Sequence, residues 1–165
     1  MSDDETLFQL SPDLEECCHQ AQIAFEKWRR QHARALPDAA LIEHVGATSV
    51  PGCETKGDLD IAVRVSKQDF PAALKHLDKT HQANDRSARC EGFAAFSAQG
   101  YALDVGVQLV VVGDTLDQFS AFRDALNADK VLVARYNALK RAYRGRKTVS
   151  YREAKAEFIK TVLGR

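Results

Sequence analysis

His44-Val45-Gly46-Ala47-Thr48-Ser49-Val50-Pro51-Gly52, followed by Cys53-Glu54-Thr55-Lys56-Gly57-Asp58-Leu59-Asp60-Ile61, reads as strand, loop, strand. Three glycines and a proline mark 46–57 as the loop. Residues 40–45 (Ala-Leu-Ile-Glu-His-Val) form the strand before it, and alternation with β-branched residues makes Leu59 to Val65 the strand after it. Residues two apart on a strand share a face, so Asp58 and Asp60 stand side by side. Two close carboxylates repel and raise a pKa unless a cation lies between them. A hard divalent ion, Mg²⁺ or Mn²⁺, suits such oxygens, and nucleotide phosphates complete its coordination. The ordinary alternatives are a loop-end Asp58 and a solvent-facing Asp60.

Asp104 is the expected third acid. It lies in Tyr101-Ala102-Leu103-Asp104-Val105, read as part of a strand over 101–112. A carboxylate buried there is costly unless paired or coordinated. Three converging carboxylates hold one or two metals, one activating a hydroxyl and one stabilising a leaving pyrophosphate. Gly46 allows close approach of backbone to ligand, and Thr48 and Ser49 offer hydrogen bonds to phosphate; a polar surface turn has the same composition. His44 reads either as a core histidine or as a substrate contact. The Gly52–Gly57 spacing is not a P-loop, because no Lys-Ser/Thr follows the second glycine.

Outward from this stretch, residues 12–34 read as a helix with Ser11 as N-cap and an apolar stripe of Leu14, Cys18, Ala21, Phe25 and Trp28. A short helix over 67–79 has Ser66 as its cap. Weak strands occupy 81–98, the better at 93–97. Helices are expected at 116–128, at 131–143 capped by Asp129, and at 150–163 opened by the capping box Ser150-Tyr151-Arg152-Glu153. This order predicts an α+β fold, a mixed β-sheet flanked by helices with C-terminal helices, in one domain over 1–165. Its parts are an N-terminal helix to 36, a sheet core at 40–112 and a helical part at 115–165.

The 165 residues are 45% hydrophobic and 28% charged, enough for one core without staples. No apolar run approaches the ~20 residues that span a bilayer. Met1 to Glu5 carries three acids and no basic region, so a leader is not expected and the location is read as cytoplasmic. Cys17, Cys18, Cys53 and Cys90 form no CxxC pair, which argues against a zinc site and for free thiols. Net charge is zero, yet residues 130–165 hold eleven Lys and Arg against two Glu, a net +9. Such a basic segment suits an anionic ligand or an acidic protein surface.

The run His44 to Gly52 resembles the signature of the GrpB family, within the nucleotidyltransferase-fold superfamily. The resemblance extends to Phe122-Arg123-Asp124-Ala125-Leu126, to Tyr136-Asn137-Ala138-Leu139-Lys140, and to Tyr151 through Ile159. It implies a nucleotidyltransferase-like core, with Gly46 in the glycine place and Asp58, Asp60 and Asp104 in the acidic places. Ala47 stands where the family has Ser, and Val107-Gln108-Leu109-Val110 where it has His-Leu-His-Val. Arg123, Lys140, Tyr151 and Lys155 match family positions; a nucleotide-binding role, foremost for Lys155, and pairing within the helical layer are both open. The implied activity is Mg²⁺-dependent transfer of a nucleoside monophosphate from an NTP to an acceptor hydroxyl on a small molecule, protein or RNA. A non-catalytic nucleotide- or partner-binding module is the alternative.

Overall fold

The computed structural model describes residues 5–165; Met1–Asp4, on which most of the leader reading rests, lie outside the described residues. Five strands form a mixed sheet: β1 (Leu41–Val45), β2 (Leu59–Val65), β3 (Gln82–Ala83), β4 (Phe93–Ala98) and β5 (Val105–Val111), in the order β1-β2-β5-β4-β3. Only β2 and β5 run parallel; the other neighbours are antiparallel. Among the described residues there are also five α-helices, α1 (Leu14–His32), α2 (Phe70–Thr80), α3 (Phe119–Ala128), α4 (Lys130–Tyr143) and α5 (Thr148–Leu163), and two single 3-10 turns at Ala33–Ala35 and Ala47–Ser49.

Alternation along β2 and β5 divides the sheet into two unlike faces. Leu59, Ile61, Val63 and Val65 lie in register with Val105, Val107, Leu109 and Val111, and all are buried. Ala21, Phe25 and Trp28 of α1 and Phe70, Ala73 and Leu77 of α2 pack on that apolar face. Each such large side chain contributes roughly 1.5–3 kcal/mol relative to exposure. The opposite face carries Asp60, Ala62 and Arg64 beside Gly106 and Gln108. A second core of Val50, Cys53, Phe122, Leu126, Val133 and Tyr136 joins the 46–57 loop to the C-terminal helices.

Several boundaries differ from the sequence reading, each for a local reason. Helix α1 is capped by Asp13, whose carboxylate accepts from the Glu16 amide, and not by Ser11. Helix α2 starts at Phe70, because Ser66 is spent on a turn in which its Oγ accepts from the Asp69 amide. Helix α5 starts two residues before Ser150, so the expected capping box lies inside it. The N-terminal segment causes this: Thr148 donates its amide and hydroxyl to the Thr6 carbonyl, at 2.9 and 3.0 Å. Phe8 of the same segment stacks on Tyr151 at 3.8 Å. Asp129 caps α4 as expected.

The largest difference concerns β5, which begins at Val105 rather than Tyr101. Ala98 pairs with Val105, so residues 99–104 must make the connection back from β4. Tyr101 turns to α1, donating to Gln31 Oε1 at 2.8 Å under the Lys27 ammonium. Asp104 is therefore an exposed residue ahead of the strand, and the burial argument made for it does not hold.

Candidate functional site

The β1–β2 connection is folded tightly under the acidic strand. Gly46 has φ 76° and ψ −175°, a conformation essentially closed to other residues. A Cβ there would lie 2.4 Å from Asp60 Oδ2, so the carboxylate rests against glycine backbone. Gly106, its partner across β2 and β5, leaves similar room: a Cβ would sit 3.3 Å from Asp60 Oδ1. Asp58 lies one alternation earlier on the same face and pairs with Lys56 at 3.4 Å.

Gly46, Asp60, Asp104 and Lys155 line one cavity of about 800 Å³ between the polar sheet face and α3–α5. Asp58, Asp60 and Lys155 line an adjoining recess of about 180 Å³, closed at the back by Phe8 and Tyr151. The structure thus brings together Gly46, both β2 acids, Asp104 at the rim and Lys155. Thr48 and Ser49 line neither space. The Thr48 hydroxyl is buried between His44 Nε2 (2.9 Å) and the Asp58 carbonyl (3.2 Å). Ser49 Oγ donates to the Gly46 carbonyl at 2.6 Å. Both hydroxyls hold the loop in shape, and Ala47 is the loop residue beside Gly46 in the cavity wall.

His44 faces the other way. It pairs with Ile61 on the apolar side and stacks on Phe25 of α1. Burial, and then the Arg123 charge, push its pKa down to about 4, so it is a neutral core histidine. Arg123 and Lys140 are likewise structural. Arg123 donates to Glu43 and to the His44 carbonyl. Lys140 is buried over the Tyr136 ring and donates to Cys53 Sγ and the Glu54 carbonyl. Part of the basic excess in 130–165 is answered within the chain: Arg141 pairs with Glu54, and Lys155 faces the β2 acids.

Electrostatics set Asp60 and Lys155 apart from the other groups. Burial, then repulsion from Asp58, raises the Asp60 pKa to about 6, against the pull of Lys155, Lys56 and a hydrogen bond from Gln108. For Lys155, burial alone would lower the pKa, but Tyr151, Asp60 and Asp58 more than offset it and the net shift is upward. A raised carboxyl pKa means that ionised Asp60 costs stability above about pH 6, and the cost vanishes as pH falls towards the ordinary 3.8. Asp60→Asn is therefore expected to stabilise the metal-free protein at pH 8 by on the order of 1–3 kcal/mol. The gain should shrink at pH 5; urea unfolding at both pH values checks this, and an equal or absent gain would contradict it.

The donor set suits a hard cation in part. Two carboxylates on one strand face, with space kept by Gly46 and Gly106, match Mg²⁺ or Mn²⁺ ligation in which water and phosphate supply the remaining oxygens. Among the described residues no group of three His, Cys, Asp or Glu is arranged around a metal position. Gln108 was not singled out from the sequence. It stands on the cleft face of β5 because 106 and 108 lie in register with 60 and 62. That register was the missing signal.

This arrangement, a mixed sheet with an acidic strand behind a glycine turn and helices closing over it, is the nucleotidyltransferase fold. A Cid1 poly(U) polymerase bound to MgATP superposes with a TM-score of 0.54 at 10% identity, over 79% of this chain and 42% of that one. Cid1 in complex with its short product ApU gives 0.52 at 11% identity, over 79% and 40%. Within that fold, the chain belongs to the GrpB family, whose model, described as "GrpB protein", matches residues 13–165. A UPF0157 protein of Vibrio cholerae serotype O1 is 37% identical over 142 residues, 85% of this chain and 74% of that protein. The crystal structure of GrpB from Enterococcus faecalis aligns with a TM-score of 0.59 at 18% identity, over 86% of this chain and 93% of that one. Among the described residues no helix is long and apolar enough to cross a membrane.

Proposed function

We propose that the cleft binds an NTP with Mg²⁺ or Mn²⁺ and transfers its nucleoside monophosphate to an acceptor hydroxyl. The observation that carries this reading is the pair Asp58 and Asp60 lining one recess with Lys155, with the Asp60 carboxylate pressed against Gly46. Asp58 and Asp60 would hold the ion, which when bound neutralises charge on the phosphates. Lys155 adds a fixed cation, and the Gly46–Ala47 backbone admits phosphate without a side chain in the way. Asp104, exposed at the rim, is assigned to the acceptor side. There the hydroxyl oxygen bonds to the α-phosphorus, the bond to the bridging oxygen breaks, pyrophosphate leaves, and the hydroxyl proton passes to Asp104 or water. Four free cysteines suit a cytoplasmic setting.

A thermal-shift series of NTPs with and without Mg²⁺ tests the binding step. Ligand at 100 times its Kd adds about 2.7 kcal/mol to the folded state. The Mg²⁺-dependent shift is expected in the native chain and absent in Asp60→Ala; a shift that survives that change removes the reading. A non-catalytic nucleotide-binding module has one observation in its favour: β5 presents Gly106 and Gln108, not an acid, to the cleft. Pyrophosphate release with any acceptor decides for transfer.

A further inference from the structure

On the sheet face opposite the cleft, three histidines gather where α1 ends beside α2. His32 Nδ1 and His76 Nε2 lie 3.1 Å apart. His81 stacks against His32 with ring centroids 4.7 Å apart. His81 itself is committed: its Nε2 accepts from the Trp28 indole at 2.8 Å, and its Nδ1 lies 2.7 Å from the Thr80 hydroxyl. It therefore serves as a neutral support for the other two rings. No part of the proposed nucleotide chemistry uses this cluster.

We propose that His32 and His76 form a binding site for a borderline divalent transition metal, of the Ni²⁺, Cu²⁺ or Zn²⁺ class. Imidazole nitrogen is a preferred ligand for these ions. With metal–nitrogen bonds of about 2.05 Å, two nitrogens 3.1 Å apart subtend roughly 98° at the metal. That angle lies between square and tetrahedral geometry, so the nitrogen–nitrogen separation can stay as it is while each ring turns to aim its lone pair at the ion. The two ligands come from different rigid helices, α1 and α2, both packed on the same apolar face. Burial, and for His32 also the neighbouring His76, lowers both pKa values, so both rings are neutral at physiological pH. As the rings stand, one N–H bridges them. Metal entry needs that the donor ring move this proton to its other nitrogen, a change of tautomer without net charge, and that both rings turn towards the ion. Among the described residues no third His, Cys, Asp or Glu closes the site, so water fills the remaining positions and the ion exchanges freely.

The chain has one tryptophan, and Trp28 lies with its ring centroid 4.8 Å from that of His32. A paramagnetic ion at the site must quench it. Titrating tag-free protein with Ni²⁺ at pH 7.5 is expected to quench Trp28 along a saturable single-site curve. Diamagnetic Zn²⁺ should displace the Ni²⁺ and restore the emission. His76→Gln and His32→Gln should each weaken the titration at least tenfold, while His19→Gln, at an exposed position on α1, leaves it unchanged. Asp60→Ala also leaves it unchanged, which separates this site from the cleft. Both ring variants are partly exposed positions, and unchanged melting in metal-free buffer shows that they fold. Absence of saturable quenching, or quenching that persists in both variants, overturns the proposal.

Discussion

Gly46→Ala is expected to cost roughly 2–4 kcal/mol of stability and to remove the cleft's ligand response. Two effects add. The backbone at φ 76°, ψ −175° costs a residue with a Cβ about 1–3 kcal/mol. The new methyl would also lie 2.4 Å from Asp60 Oδ2, a separation no packed structure keeps. Either the loop or the carboxylate must move, and both belong to the site. Urea unfolding should show a lower midpoint with an unchanged slope. A double-mutant cycle with Asp60→Ala isolates the contact from the backbone strain, since removing the carboxylate leaves the strain alone. A loss below about 0.5 kcal/mol would show that the turn relaxes without harm, against the role given to Gly46.

Glu43→Ala should also destabilise the chain, although Glu43 touches no part of the cleft chemistry. Its carboxylate accepts from Arg64 at 3.1 Å, from Arg123 at 2.9 Å and from Ser120 at 3.0 Å. Arg64 in turn makes two bonds to Asp117, at 2.7 and 2.8 Å. Removing Glu43 takes one of two carboxylate partners from each guanidinium: Arg64 keeps Asp117 and Arg123 keeps Asp124, while Ser120 and one arm of each arginine lose their acceptor. Allowing for residual solvent at a side chain 22% exposed, the expected loss of these charge-assisted bonds is about 1–3 kcal/mol. Burial would raise the Glu43 pKa, but the bonds from Arg123, Arg64 and Ser120 outweigh it and the net shift is downward. A depressed carboxyl pKa gives stability that is present above the ordinary 4.5 and lost as pH falls below it. The native chain should therefore lose this increment on acidification, and Glu43→Ala should show a shallower decline. Equal acid profiles would remove the network from the account.

The strand–loop–strand around Asp58 and Asp60 was legible because its signals are local: glycines, a proline and alternation over seven residues of β2. The parallel neighbour was not. Asp104 reads as a strand residue by pattern, but antiparallel pairing of Ala98 with Val105 takes 99–104 for a loop, and Tyr101 finds a better partner on α1. Thr48 and Ser49 looked like phosphate ligands by composition. Their hydroxyls are instead consumed by the loop's own carbonyls and by His44. The Glu43–Arg64–Asp117–Arg123 network joins two strands, the segment before α3 and α3 itself, so no spacing in the sequence announces it. Lys155 lines the cleft, while Arg123 and Lys140, matched by the same resemblance, bond within the scaffold.

The strand order carries a kinetic consequence. β2 and β5 are neighbours in the sheet, yet Leu59 pairs with Val105 far along the chain. A loop that long is slow to close, and its contacts reward the chain only after closure. Before that moment β1 and β2 can zip together through a short connection, but Asp60 then stands at an open edge without Gly106 or Gln108 beside it. The cleft is thus a late product of folding. A chain caught early in refolding should show β-structure first and ligand response afterwards, in two phases that stopped-flow measurements can separate.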